Sequence, residues 1–224
     1  CDLLVRSQTL YPTELRARFE AERNHDFITA GSSAPSTTTL SRATARQPTR
    51  ATMHETPVSH LEHQQRAPRS VRCAVITISD TRTLDTDTAG AAITDMLRAA
   101  GHEVVGRTIV RDDADMVRGA IGRQLADPGV QAIITTGGTG ITSRDNTYEA
   151  VAAMLDKRLD GFGELFRMLS YEQVGAAAML SRACAGLISG RFVAALPGSE
   201  AAVRLAMDRL LIPELGHLVG EAAR

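Results

Sequence analysis

The chain has 224 residues with 25 basic and 26 acidic side chains, a formal net charge of −1 and a mean hydropathy of −0.09. With 43% hydrophobic and 23% charged residues the composition is globular, which excludes a collagen-like, wholly disordered or membrane-embedded chain. No apolar run approaches the roughly 18 to 20 residues that cross a bilayer, and the balanced charge gives no global reason to expect nucleic acid as a partner.

Five of the eight prolines precede residue 70, and 29–52 is a run of Ser, Thr, Ala, Arg and Pro without one acidic residue. Such a stretch cannot bury enough surface to offset the entropy of ordering. Residues 1–68 are therefore expected to be a disordered or non-native extension, with at most a short polar helix at 14–27. Early acids (Asp2, Glu14, Glu20, Glu22, Asp26) argue against a transit peptide. The first residue is not methionine, and Met53 is a candidate internal start. The chemistry is expected in 69–224.

From Arg72 onward, short apolar runs alternate with stretches of period 3.6, the pattern of a three-layer α/β domain with a mostly parallel central sheet. Residues 73–78 read as a strand buried on both faces. Ile93, Met96, Leu97 and Ala100 make one helical stripe that Gly101 ends. A second strand is expected at 103–110, then a helix carrying Met116, Val117, Ala120, Ile121 and Leu125, with Asp113 as its cap. Pro128-Gly129 breaks the chain before a third strand at 130–136, and a helix follows at 148–155. Fourth and fifth strands, near 185–188 and 192–195, flank a Ser189-Gly190 turn. A last helix starts after Pro197-Gly198-Ser199 and runs to Pro213.

Three cysteines (Cys1, Cys73, Cys184) at unrelated spacings fit neither a disulfide framework nor a zinc site, so a reducing cytoplasm is expected. Cys73 and Cys184 fall in predicted strands as packing residues. The histidines are scattered, and His217 has no evident partner.

In open sheets of this kind ligands bind beyond the carboxyl ends of the strands, which selects the loops 79–87, 111–113, 137–145 and 197–199. Thr136-Gly137-Gly138-Thr139-Gly140 leaves a buried strand with three glycines in four positions. Loops of this kind let amides approach an anion closely, and phosphate is the expected occupant. The spacing matches neither the P-loop nor the dinucleotide fingerprint. Asp145 follows the loop. A carboxylate about 4 Å from a phosphate oxygen would be repelled by roughly 4 kcal/mol at an effective dielectric near 20, so a bridging cation is needed if the two meet. Magnesium suits that role, with Asp112 or Asp113 as a second ligand. The alternative makes Asp145 the cap of the next helix.

Taken together, Ser79-Asp80-Thr81-Arg82, Asp87-Thr88-Ala89-Gly90, the glycine loop with Arg144-Asp145, Gly161-Phe162-Gly163-Glu164-Leu165-Phe166-Arg167, Leu180-Ser181-Arg182 and Leu196-Pro197-Gly198-Ser199 resemble the MoaB/Mog family of molybdenum cofactor biosynthesis, from 67 to 218. The resemblance implies a molybdopterin adenylyltransferase that transfers AMP from Mg-ATP to the terminal phosphate of molybdopterin and releases diphosphate. It implies Asp112 and Asp145 as catalytic and Mg2+-binding. It also implies Thr136, Gly137, Gly138, Thr139, Gly140 and Arg144 on the nucleotide phosphates, and Ser79, Asp80, Ser181, Pro197, Gly198 and Ser199 on the substrates. A homotrimer or hexamer is implied, with 168–179 as contact surface, together with contacts to other cofactor-biosynthesis proteins. The other reading is a non-catalytic molybdopterin or molybdenum-cofactor carrier; an insertase that adds molybdate normally carries further domains. Two positions depart from the family pattern. Asn146 and Tyr148 stand where Val and Pro are usual, and the loss of a helix-starting proline touches the rigidity of the loop rather than the phosphate contact.

Overall fold

The computed structural model describes residues 67–224; the expectations for 1–66, the short helix at 14–27 and Met53 among them, lie outside the described residues. The strands are β1 (Arg72–Ile78), β2 (Glu103–Val110), β3 (Ala132–Thr136), β4 (Lys157–Arg158), β5 (Cys184–Ile188) and β6 (Arg191–Leu196). They form one sheet in the order β2-β1-β3-β6-β5-β4. The pairs β1·β2, β1·β3 and β3·β6 are parallel, whereas β5 runs antiparallel to both β6 and β4.

The helices are α1 (Thr88–Ala99), α2 (Ala114–Leu125), α3 (Thr147–Met154), α4 (Asp160–Val174), α5 (Glu200–Ala206) and α6 (Ile212–Ala222). Side chains alternate across a strand, so the two faces of the sheet meet different helices. Cys73 and Val75 of β1 pack with Ile93 and Leu97 of α1, Phe166 of α4, Val203 of α5 and Leu215 of α6. On the other face Ala74, Ile76 and Ile78 pack with Val117 and Ile121 of α2 and Val151 of α3. Both faces are covered, which is why β1 and β3 read as continuous apolar runs. Phe166 is fully buried, and its truncation to alanine is expected to cost about 3–5 kcal/mol.

Local sequence sets the element ends. The Asp87 carboxylate caps α1 by accepting from the Gly90 amide, and Asp113 caps α2 by accepting from the Asp115 and Met116 amides, as expected for that residue. Gly101, at φ +84°, ends α1 in a Schellman turn: its amide bonds the Arg98 carbonyl and the His102 amide bonds that of Leu97. Ser189 and Gly190 both take positive φ, joining β5 to β6 by the expected two-residue turn.

Four expectations change. The third strand begins at Ala132 rather than 130, because Val130 closes a turn onto the Asp127 carbonyl. The last helix does not stop at Pro213. A π turn at Met207–Leu211 follows α5, and Pro213 sits in the first turn of α6, where its missing N–H is no loss. His217 is partnered, its Nδ1 lying 2.9 Å from a Glu214 carboxylate oxygen. The two-residue β4 and the helix α4 were not foreseen as elements; within α4, Phe166 is core and Met168 is 54% exposed. Cys73 and Cys184 are buried as expected, and burial pushes their thiols up to about 12 and about 11. Among the described residues no helix is long and apolar enough to cross a membrane.

Candidate functional site

The parallel strands β1, β2, β3 and β6 end on one side of the sheet, and their four following loops converge there. Gly137 leaves β3 at φ +101° and Gly138 continues at φ +63°. At Gly137 a Cβ would fall on the Ile78 carbonyl oxygen, so the loop crosses directly over the end of β1. The Gly137 amide donates to the Leu196 carbonyl at 3.0 Å and the Thr136 hydroxyl to that of Pro197 at 2.9 Å, tying the loop to the end of β6. Gly198 closes against Gly137, and a Cβ there would lie 3.1 Å from the Gly137 Cα. Between this floor and the start of α1 lies a recess of about 190 Å3, lined by Ser79, Arg82, Thr88, Gly137, Gly138 and Gly198 among others.

Two carboxylates border the loop from separate elements. Asp112, at the end of β2, accepts from the Asn146 amide at 3.4 Å and the Thr147 hydroxyl at 3.5 Å, and its own amide donates to Asp80 at 3.3 Å. Desolvation raises the Asp112 carboxyl above the ordinary aspartate value. The Asn146 amide lowers it, and the negative charges of Asp145 and Asp80 add to the rise. Asp145 does not cap α3. Its Oδ2 accepts from the Thr142 hydroxyl at 2.6 Å and the Thr142 amide at 2.9 Å, and the hydroxyl bond holds its carboxyl below the usual value. The N-cap of α3 is Asn146, whose side chain makes no capping bond to that helix.

The remaining expected residues divide. Ser79, Thr136, Gly137, Gly138 and Gly198 line the recess together, with Asp80 beside Asp112 and 3.6 Å from the Arg111 guanidinium. Pro197 contributes its carbonyl, while the Ser199 hydroxyl is engaged as the N-cap of α5. Arg144 is exposed, with no carboxylate partner among the described residues. Ser181 donates its amide to the Ala178 carbonyl; its neighbour Arg182 reaches the loop instead, its Nε donating to the Thr139 carbonyl at 2.9 Å.

Sequence reasoning missed one pair. Asp87 is 3% exposed and accepts from the Thr77 hydroxyl at 2.7 Å, the Gly90 amide at 2.9 Å and the Arg107 guanidinium at 2.9 Å. Arg107 also donates to the Leu84 carbonyl, so the pair clamps the 79–87 wall of the recess onto β2. The available signal was a lone charge inside the apolar run of β2, which demands a partner when covered.

No group of three or more His, Cys, Asp or Glu side chains among the described residues could hold a metal alone. Two carboxylates beside an amide-rich loop instead fit a hard cation that takes most of its oxygens from water and phosphate, as magnesium does.

A family described as "Probable molybdopterin binding domain" matches residues 74–217. The Molybdenum cofactor biosynthesis protein B of Bacillus cereus is 50% identical over 168 residues, covering 75% of this chain and 99% of the relative. A crystal structure of a protein of that name is 50% identical, with a TM-score of 0.69 over 70% of this chain and 99% of the other. The tungsten cofactor synthesizing protein MoaB from Pyrococcus furiosus is 38% identical, with a TM-score of 0.64 over 70% of this chain and 100% of its own. A family pattern across most of the described residues, and a relative half identical over almost its whole length, leave one placement: the chain belongs to the MoaB/Mog family and has a role in molybdenum cofactor biosynthesis.

Proposed function

We propose that the protein is a molybdopterin adenylyltransferase. An oxygen of the terminal phosphate of molybdopterin attacks the α-phosphorus of ATP; the new P–O bond forms as the bond from the α-phosphorus to the bridging oxygen of the β-phosphate breaks, and diphosphate leaves. The nucleophile is already an anion, so no strong general base is required, and positioning with charge neutralisation carries the reaction. The observation that carries this reading is the glycine floor of the recess, which crosses the ends of β1 and β6 with Asp112 and Asp145 at its border.

The amides of Gly138 and Thr139 would bind nucleotide phosphate oxygens, since that of Gly137 is spent on the Leu196 carbonyl and that of Gly140 faces Asp145, and Arg144 would meet them from the exposed side. Ser79, Asp80, Ser181 and 197–199 would orient the two substrates. Asp112 and Asp145 would hold magnesium, whose chemistry at this point is neutralisation of phosphate charge. The raised carboxyl of Asp112 supports this role, because like charges held together with partial burial gain most from a cation. The exposed apolar side chains of Leu165, Met168, Tyr171, Val174, Met179 and Leu180 support a homo-oligomer with its contact on α4 and the turn after it.

The test is incubation with molybdopterin, Mg2+ and ATP labelled at its α-phosphorus. The expected result is label in the pterin product. A non-catalytic carrier would bind molybdopterin and leave the label in ATP.

A further inference from the structure

Three side chains beside the glycine loop make a set that the proposed reaction does not use. Arg182 leaves the short 3-10 turn before β5 and spends its guanidinium on three partners. Nε donates to the Thr139 carbonyl at 2.9 Å, while Nη1 and Nη2 meet the two Glu149 carboxylate oxygens at 2.7 and 2.8 Å. Its flat face lies over the Tyr148 ring, 4.6 Å from the centroid. Tyr148 and Glu149 are consecutive in the first turn of α3, one residue after Thr147, whose amide donates to the Gly138 carbonyl at 2.9 Å. Two successive loop carbonyls, those of 138 and 139, are thus fastened to the start of α3, one directly and one through Arg182.

We propose that Tyr148, Glu149 and Arg182 form a brace that sets the shape of the 137–140 loop, with Arg182 as its positioning residue. A peptide unit is planar and trans, so fixing a carbonyl on one side fixes the next amide on the other. Holding the Thr139 carbonyl therefore orients the Gly140 amide, which faces the Asp145 carboxylate. Two glycines at positive φ supply no stiffness of their own, and the brace replaces the rigidity that a proline at 148 would give α3. Only a guanidinium serves here. Its two Nη groups bind a carboxylate bidentately while the Nε–H and the flat face of the guanidinium remain free for other partners, and a lysine ammonium offers neither the fork nor the plane. Stacking on Tyr148 adds a cation–π contact that fixes the plane of the fork.

The kinetic part of the test rests on the adenylyltransferase reading; the structural part does not. The full chain and its Arg182→Lys, Arg182→Met, Tyr148→Phe and Tyr148→Leu variants are compared by amide hydrogen exchange over 137–142 and by kcat and KM for Mg-ATP. Both Arg182 variants are expected to exchange at least about tenfold faster in 137–142, with β1 and β6 as protected as in wild type. KM should rise at least about fivefold while kcat changes less than about threefold. Tyr148→Phe should behave as wild type and Tyr148→Leu should fall between. Unchanged exchange in Arg182→Met, or an Arg182→Lys variant indistinguishable from wild type, overturns the brace. Should the wild-type chain release no diphosphate, the reading of the reaction fails by itself and the exchange data still decide the brace.

Discussion

The Asp112 carboxylate lies against the backbone of Gly138, so that a Cβ at 138 would stand 2.6 and 2.7 Å from its two oxygens. Glycine at 138 is what admits a negative charge to the floor of the recess, and that charge has a stability cost. The Asp112 carboxyl is raised above the ordinary value of 3.8. Between 3.8 and its raised value the folded state holds more protons than the unfolded chain, so this group makes stability fall as pH rises, and the penalty persists at neutral pH. Asp112→Asn is expected to be at least as stable as wild type at pH 7, with a Tm no lower and a gain of up to about 1 kcal/mol in unfolding free energy given the partial exposure of the site. The advantage should vanish in acid, and adenylyl transfer should drop at least about tenfold. Calorimetry at two pH values with a diphosphate assay checks both; a lower Tm at pH 7 would count against the electrostatic account.

Asp145 has the opposite sign. Its carboxyl is lowered, chiefly by the Thr142 hydroxyl, so its contribution is present at neutral pH and is lost as pH falls through the folded value. Asp145→Asn should reduce turnover at least about tenfold, a barrier increase of roughly 1.4 kcal/mol. The group is well solvated, so its loss should cost less than about 1 kcal/mol of stability. Kinetics beside a thermal melt separate the two effects, and a rate equal to wild type would remove Asp145 from the mechanism.

Gly137→Ala meets two obstacles, a φ of +101° and the Ile78 carbonyl oxygen in the place of the new methyl. That oxygen belongs to backbone and cannot rotate away. The expected loss is at least about 2 kcal/mol, with binding of ATP abolished. Gly161→Ala, with open space around the new Cβ within α4, is the control and should be close to neutral. Equal melting of the two variants would refute the close-approach argument.

The alternation from β1 to β6 was legible because the parallel strands β1, β3 and β6 are covered on both faces and so carry apolar runs, while caps such as Asp113 and Gly101 act within a few residues. The two-residue β4 was not, because a strand that short has no period, and its pairing with Leu187 and Gly186 is a property of the neighbouring hairpin. The passage of the last helix beyond Pro213 depends on a π turn that no local signal announces. At the site, the glycine loop and Asp145 could be read from types and spacing. The Asp87–Arg107 clamp and the Arg182 contact to Thr139 depend on which loops the sheet order makes neighbours, whereas the engagement of Asp145 with Thr142, three residues back, is a local turn whose residue types serve equally for a helix cap.

Arg107→Met tests that clamp. The substitution leaves the buried Asp87 carboxylate with only the Thr77 hydroxyl and the Gly90 amide. Stranding one member of a buried ion pair costs about 3–5 kcal/mol. Double replacement with Asp87→Asn should recover part of the loss, which a denaturation cycle over the four proteins would reveal. Strict additivity would mean that the two side chains do not act as a unit.

The most direct measurement is diphosphate release by the purified chain given Mg2+, ATP and molybdopterin, with each omitted in turn and with Asp145→Asn alongside. The account predicts stoichiometric diphosphate only when all three are present, and at least about a tenfold slower release from the variant. Diphosphate formed at an equal rate without molybdopterin, or none formed from the complete mixture, would contradict it.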